Sequence, residues 1–563
     1  MDYKSAVAAA VASVGCGLSM EELSALIVVP KDSKNGDYSL PCFRFAKISG
    51  KSPVAVAQEL KDKIALPEGI EKVESLAGYL NFYTDKKVFV KTALEKVLEK
   101  KQDYGKSDIG KGKTVCIDYS SVNIAKPFHI GHLSSTAIGG ALYRIFGFLG
   151  YTAVGINHLG DWGTQFGKML AAYKLWGDAE KVEKGGVAAL LELYVRFHKE
   201  AENNPELDDL ARSWFKKIED FDEEATTLFN KFKELTLAEA FKVYDRLRIK
   251  FDSYAGESFY NDKLDAVVNE LEAKGLLRES EGAKVVDLEA YNMPPCIIVK
   301  SDGASLYSTR DIAAALYRKK TYDFDKCLYV VAYQQNLHFK QWFKVIELMG
   351  YPWAKDLEHI AFGMVSLPDG AIKSRAGNVV FLEDVLNRAV EKSLQVITEK
   401  SPDLENKKEI AEQVGVGAVI FSVLYNNRIK DIVFNYDKVL NFDGETGPYV
   451  QYTHARCCSV LAKGTLGREK DFSALDNEES VEVVKLLDTF PDAVREAADK
   501  REPCVLSRHI VELAKAYNKF YLAHRIINAP EGAKNVRLML TSAVRQVIKN
   551  GLTLLGMGAP EKM

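Results

Sequence analysis

His129-Ile-Gly-His132 sets two imidazoles three residues apart, after a polar loop and at the start of an apolar helical run. Residues three apart on a helix share a face, so both rings can donate to the same phosphate oxygens. Free N–H groups and the dipole at a helix start favour anions in the same place. Gly131, between the rings, removes a side chain and lets a flat base pack on the backbone. Two plainer readings stand beside this one: a metal pair with no evident third ligand, and ordinary helix-start chemistry. A second set, Lys373-Ser-Arg375-Ala-Gly-Asn-Val-Val380, follows a Pro-Asp-Gly turn. A basic loop carrying Ser and Gly suits a mobile clamp on a triphosphate; alone it also fits a surface turn. A third stretch, Gly105 to Gly112, nearly matches a P-loop. It lacks the closing Ser/Thr and precedes a strand instead of following one, so it reads as a linker.

The elements that must position these residues follow a strand, loop, helix, strand order. Thr114–Tyr119 is a short β-rich run, about Ile130–Leu149 an apolar helix, and Thr152–Ile156 a second strand, which is the grammar of a parallel α/β sheet. The paired imidazoles then fall at the carboxyl end of a strand, where such sheets bind ligands. Residues from Met169 to Leu277 read as a charged helical insertion. Strand signals return at Ile297–Lys300, Lys326–Ala332 and His359–Phe362. Upstream lies a small α+β unit with helices at Ser5–Val14, Ser52–Ile64 and Val88–Lys101 and strand alternation at Tyr79–Tyr83, closed by the linker Lys100–Lys113. After Phe381 nearly everything reads as helix. The expected fold is α/β: a Rossmann-type parallel-sheet domain over 109–400 with an insertion at about 169–290, an N-terminal α+β domain over 1–108, and an all-α bundle over 401–563. A cut near Asn441 is expected to leave a soluble piece containing the sheet.

At 563 residues the chain needs several cores. It is 47% hydrophobic and 27% charged, a balanced globular composition with no apolar run of membrane-spanning length. Eight scattered cysteines, none in a C-x-x-C pair, fit a reducing compartment, and with no leader sequence evident the expected location is the cytoplasm. A net charge of −3 gives no global sign of nucleic-acid binding. The one local candidate is Arg501–Met563, where ten Lys/Arg face four Asp/Glu. A solvated helical face would look the same.

Order and spacing of the two basic or imidazole motifs, about 240 residues apart, resemble class I aminoacyl-tRNA synthetases. Longer stretches resemble arginyl-tRNA synthetase within that class: Asn-Ile-Ala-Lys-Pro-Phe-His-Ile-Gly-His-Leu (123–133), Asn-His-Leu-Gly-Asp-Trp-Gly-Thr-Gln-Phe-Gly (157–167), Tyr-Ser-Thr-Arg-Asp (307–311), Tyr-Gln-Gln-Asn-Leu-His-Phe (333–339) and the closing Leu-Leu-Gly-Met-Gly-Ala-Pro-Glu-Lys-Met (554–563). One departure is plain. The family's second signature often opens with a lysine where this chain has Ala371, and members lacking it keep a lysine ahead of His-x-Gly-His, here Lys126.

The resemblance implies a catalytic set of His129, His132, Lys126, Lys373 and Arg375. It implies an arginine pocket of Asp118, Ser121, Asn123, His132, Tyr307, Asp311 and Gln335, chemistry suited to a planar guanidinium with five donors. For ATP it implies His129, Gly131, His132, His338, Met364, Val365 and Lys373. For tRNA it implies Asn427, Arg428, Tyr449, Tyr452 and Arg456, with the N-terminal domain on the tRNA elbow and the helical bundle on the anticodon. The expected activity is ATP-dependent joining of L-arginine to tRNA(Arg) by a monomer, with Mg²⁺ accompanying ATP, no prosthetic group, no metal site of the protein's own, and neither DNA nor membrane as partner. Two rivals are another His-x-Gly-His nucleotidyltransferase that makes a small cofactor, and an inactive synthetase relative that binds RNA or a protein.

Overall fold

The computed structural model describes residues 3–15, 17–30, 32, 35–126, 128–301, 307–366 and 380–563. Lys373, Arg375 and Ala371 lie outside the described residues. The chain divides into two compact units: one of residues 1–104, 459–489 and 515–547, the other of 105–458, 490–514 and 548–563.

The larger unit is built on a four-stranded parallel sheet, in the order Leu357–His359, Lys326–Tyr329, Thr114–Asp118, Thr152–Ile156. Its strands are short and apolar because both faces are covered. Thr114–Asp118 is central: the chain leaves it to one side for Thr152–Ile156 and later returns on its other side as Lys326–Tyr329 and Leu357–His359. The order therefore reverses at the carboxyl end of Thr114–Asp118, where a crevice opens in such sheets. On one face pack Leu264–Ala273, Tyr307–Tyr322 and Asn336–Leu348, joined through a core that includes Cys116, Ile156, Ile312, Trp342 and Ile346.

The helix Leu133–Phe148 leaves the paired imidazoles and is buried from Leu133 to Leu142. Its Gly139-Gly140 step permits this. A Cβ on Gly139 would stand 2.3 Å from Tyr119 Cβ, and one on Gly140 2.2 Å from Ile249 Cδ1. The expected insertion holds the helices Thr164–Trp176, Ala179–Ala201, Glu206–Glu219 and Glu223–Arg246. The chain then rejoins the sheet, with Asn157 N donating to Ser253 O at 2.9 Å.

The strand expected at Ile297–Lys300 forms, and it belongs to a second sheet. The run near Ile297 forms Cys296–Val299, but outside the parallel sheet. It pairs antiparallel with Ala283–Val286, which pairs with Leu277–Ser280. The cut near Asn441 is corrected. Gln451 Nε2 donates to Gly558 O at 2.9 Å, Arg144 Nε to Leu554 O at 3.0 Å, and Met557 is buried, so residues beyond the cut complete the sheet unit's own core. Removing them would strip that packed interior, so the shortened piece is expected to be destabilised.

In the smaller unit Tyr79–Thr84 is the middle strand of an antiparallel sheet between Tyr38–Pro41 and Ile70–Leu76. Lys86–Lys100 and Glu478–Asp488 pack on each other there, and Tyr104 Oη donates to Leu487 O at 2.9 Å.

Candidate active site

The loop after Thr114–Asp118 is held in an unusual backbone. Ser120, Ser121 and Ala125 have φ of 69°, 50° and 58°, a region costly for side-chain-bearing residues. Buried hydrogen bonds fix it: Ser120 N donates to Ser135 Oγ at 2.9 Å, and Ser135 Oγ donates to Val330 O at 2.7 Å. Thr136 Oγ1 donates to His132 O at 2.7 Å, tying the imidazole turn to the helix behind it.

His129 and His132 lie against each other with ring centroids 4.0 Å apart and planes tilted by 38°. A backbone N–H group decides the His129 tautomer. Gly131 N donates to His129 Nδ1 at 3.0 Å and His129 N donates to His132 Nδ1 at 3.2 Å. A nitrogen that accepts carries no proton, so the neutral His129 ring bears its hydrogen on Nε2; His132 Nδ1 also lies 3.3 Å from His129 O, a contact in which it would be the donor. Burial pushes His129 down to about 4, aided by the Lys126 ammonium, and His132 to about 3, aided by His129. The turn thus presents two neutral imidazoles. Gly131 has a tighter reason than the one inferred from sequence: a Cβ there would lie 2.7 Å from His129 Cε1.

These shifts carry a stability consequence. The unfolded chain takes up protons on its histidines from about pH 6.5 downward, the folded one only near 4 and 3. Between those limits the unfolded state binds more protons, so stability falls as pH drops through the window. Denaturant midpoints measured from pH 7 to 4 should decline, and His129→Gln/His132→Gln should flatten the decline. An equal slope in both proteins would remove the buried pair as its cause.

The second motif's flanks return to the same turn. Ile130 N donates to Val380 O at 3.2 Å and Leu382 N to Phe128 O at 2.8 Å, while Val365–Ser366 packs against Ile130–His132. Met364, just ahead of that strand, is 37% exposed and Val365 is buried. Lys126 lies 5.9 Å from the Tyr194 ring of the insertion.

The residues expected at arginine lie at the strand ends and on the helix Tyr307–Tyr322. Asp118 is buried; its Oδ1 accepts from Ser121 Oγ at 2.9 Å and its Oδ2 from Arg318 Nη2 at 2.8 Å. Asn123 sits beside Gly160, paired through Gly160 N to Val122 O at 3.0 Å and Ile124 N to Gly160 O at 3.1 Å. A Cβ on Gly160 would lie 2.2 Å from Asn123 Oδ1, which accounts for the glycine. Tyr307 and Asp311 are four apart on one helix face, and Asp311 Oδ2 is 2.6 Å from His338 Nε2. The structure thereby couples His338, expected at ATP, to the arginine set. Gln335 is exposed at the end of the short turn Tyr333–Gln335. Beside Tyr307 opens a cleft of about 590 Å³ lined by Trp162, Phe215, Glu257, Lys300 and Arg310. Burial pushes the Glu257 carboxyl up to about 7.

Sequence reasoning missed Arg318, His158 and Glu257. His158 stood within a quoted motif, but nothing local marked it; its Nδ1 is 3.4 Å from Arg318 Nη2.

Among the residues expected at tRNA, Arg428 is engaged internally: its guanidinium donates to Ala361 O at 2.6 Å and Arg501 O at 3.2 Å and lies 3.4 Å from Glu502. Asn427 Oδ1 accepts from Arg508 Nη2 at 2.6 Å. Tyr449, Tyr452 and Arg456 recur three and four apart on Gly447–Lys463, with the Arg456 guanidinium 5.0 Å from the Tyr452 ring.

Comparison with known proteins adds independent findings. The family model for the class I (R) tRNA synthetase catalytic domain matches residues 93–436, that for the DALR anticodon binding domain 450–563, and that for the arginyl tRNA synthetase N-terminal domain 1–84. An arginine–tRNA ligase of Alkaliphilus metalliredigens is 52% identical over 564 residues, covering 100% of both chains. One from Clostridium botulinum (strain Okra) is 54% identical over 565, again 100% of each. The arginyl-tRNA synthetase of Thermus thermophilus superposes with a TM-score of 0.83 at 27% identity, covering 100% of this chain and 99% of the other.

Proposed function

This chain belongs to the arginyl-tRNA synthetases, which attach arginine to tRNA at the expense of ATP, and we propose that its crevice carries both steps as follows. Arginine is held by its side chain between Asp118 and Asp311, with Tyr307, Ser121 and Gln335 around it and Asn123 at its α-amino end. Its carboxylate attacks the α-phosphate of ATP, forming arginyl-adenylate and releasing pyrophosphate. The 3′-terminal ribose hydroxyl of tRNA(Arg) then attacks the adenylate carbonyl and AMP leaves. Neither step needs a nucleophilic side chain; the protein positions reactants and stabilises charge.

The observation that carries this reading is the neutral state of the paired histidines. Two neutral imidazoles at a helix start, His129 with its hydrogen on Nε2 and both flanked by the return of residues 380–382, suit a phosphate that gains charge in the transition state. Lys126, with Lys373 and Arg375 on the second motif, supplies positive charge to the phosphates. Met364, Val365 and Gly131 border the nucleotide. ATP enters with Mg²⁺ held by its own phosphate oxygens, since the residues here are N–H donors rather than oxygen ligands.

Lysine is rejected because it brings a point charge where the site offers acceptors for a planar fork, which leaves buried acceptors unpaired. The Tyr452–Arg456 pair offers a stacking platform for an unpaired anticodon base, with Tyr449 beside it. Residues 1–108 meet the tRNA elbow. The enzyme works as a cytoplasmic monomer; no helix among the described residues is long and apolar enough to cross a membrane.

ATP–pyrophosphate exchange, run with and without tRNA(Arg), tests the reading. Arginine-dependent exchange in at least one of the two conditions is expected. Exchange driven by a different acid would point to a cofactor-forming nucleotidyltransferase, and none in either condition to an inactive relative.

A further inference from the structure

Tyr307, Asp311 and Arg318 lie on one stripe of the helix Tyr307–Tyr322, Arg318 seven residues and about 10 Å beyond Asp311. The Arg318 side chain is 1% exposed. Its Nη2 donates to Asp118 Oδ2 at 2.8 Å, and its guanidinium lies 5.3 Å from the Tyr329 ring. Yet its Nε and Nη1 have no hydrogen-bond partner among the described residues. A buried cation that satisfies only part of its fork is a poor way to stabilise a fold; an apolar residue of similar volume serves as well or better. Its contribution must be sought in what it holds.

What it holds is the carboxylate at the centre of the crevice. Asp118 has two oxygens: Arg318 takes Oδ2, and Oδ1 accepts from Ser121 at the crevice side of the loop. Asp161, the other fully buried acid nearby, is bound by Lys233 at 2.6 Å and by Ser258. Asp311 is hydrogen-bonded, among the described residues, to the imidazole of His338. With Asp118 balanced by Arg318 and Asp161 by Lys233, the arginine set offers the net demand of one cation.

We propose that Arg318 is a positioning residue for arginine recognition: an internal guanidinium that claims Asp118 Oδ2, fixes the carboxylate plane, and leaves Oδ1 as the single acceptor shown to the substrate. The inference rests on Asp118 being an arginine ligand. The substrate fork is therefore met by one oxygen of Asp118 and by Asp311, rather than bidentately by Asp118. Losing Arg318 frees the carboxylate to rotate out of the orientation that the substrate fork needs, which weakens arginine and leaves ATP alone.

The test is arginine and ATP kinetics in pyrophosphate exchange with tRNA(Arg) present. The proteins are Arg318→Met, Arg318→Lys, Asp118→Asn and Asp118→Asn/Arg318→Met, with thermal melting as a check of folding. Arg318→Met should raise the arginine KM about thirtyfold, as expected for breaking a buried charge pair, with the ATP KM within about twofold and kcat within about threefold. Arg318→Lys should recover part of that loss. The double variant should be no worse than Asp118→Asn, because without the carboxylate Arg318 has nothing to hold. Multiplying effects, or kcat and both KM values worsening together, overturn the proposal. An unchanged arginine KM in Asp118→Asn overturns the pocket assignment and this proposal with it. A raised KM in Asp118→Asn with an unchanged one in Arg318→Met overturns this proposal alone. If the methionine variant does not fold, Arg318→Lys decides: a severalfold rise in arginine KM at constant ATP KM supports the proposal, and no rise overturns it.

Discussion

Replacing His132 by alanine is expected to slow adenylate formation by about a hundred- to a thousandfold, the scale seen when one donor to a developing oxyanion is removed. The ring is neutral, and its Nδ1 lies against the His129 backbone, 3.2 Å from N and 3.3 Å from O, so the group lost toward the phosphate is Nε2. Alanine also leaves His129 N–H without its acceptor. His132→Asn separates the two effects, since an amide oxygen can take that N–H while the donor is shortened. Both variants should slow single-turnover adenylate formation by similar factors, with arginine affinity within about threefold of the parent by equilibrium binding. Normal turnover with collapsed arginine affinity would move His132 out of the phosphate site and into the amino-acid pocket.

Lys126→Ala is the second large effect. The phosphates of ATP need balancing cations, and Ala371 stands where relatives of this family often place one. The ammonium of Lys126 acts on both imidazoles, lowering His129 and His132, so its field covers the place where phosphate charge would develop. Adenylate formation should drop by about two orders of magnitude, roughly 2.7 kcal/mol of transition-state stabilisation. Adding Ala371→Lys should restore part of the rate, because two positions serving the same phosphates are not independent. A double-mutant cycle on the activation step measures this. Additive effects would show that the residues do not share a task. A silent Lys126→Ala would leave Lys373 and Arg375 as the phosphate clamp.

Much of the crevice was legible because its chemistry is local. His129 and His132 fall on one turn, Thr114–Asp118 and Thr152–Ile156 are apolar runs of strand length, and Tyr307 and Asp311 share a helix face. What could not be read depended on distant partners. Arg318 opens the run Arg-Lys-Lys at a helix end, which looks like a solvated basic terminus; only Asp118, 200 residues earlier, makes the first of the three a buried ion. Ile70–Leu76, Ile-Glu-Lys-Val-Glu-Ser-Leu, is rich in helix formers and becomes a strand only because Tyr79–Thr84 pairs with it. Leu277–Ser280 is a mostly exposed edge strand with no apolar face to betray it. Cys296–Val299 was recognised as a strand, but its β-branched residues say nothing about which sheet it joins. Asn427 and Arg428 were named through the family resemblance, and in the structure Asn427 accepts from Arg508 while Arg428 donates to Ala361 and Arg501. Composition reports what a side chain can bind, and the fold decides which partner it meets.

The most direct test is the identity of the amino acid that the full-length protein attaches to tRNA. The twenty amino acids, each radiolabelled, should be offered in turn with ATP, Mg²⁺ and total tRNA. A site built from Asp118, Asp311 and the paired imidazoles of His129 and His132 predicts label on tRNA from arginine alone, dependent on ATP and lost in His129→Ala/His132→Ala. Charging with lysine or any other acid at a comparable kcat/KM, or none with arginine, would contradict the account.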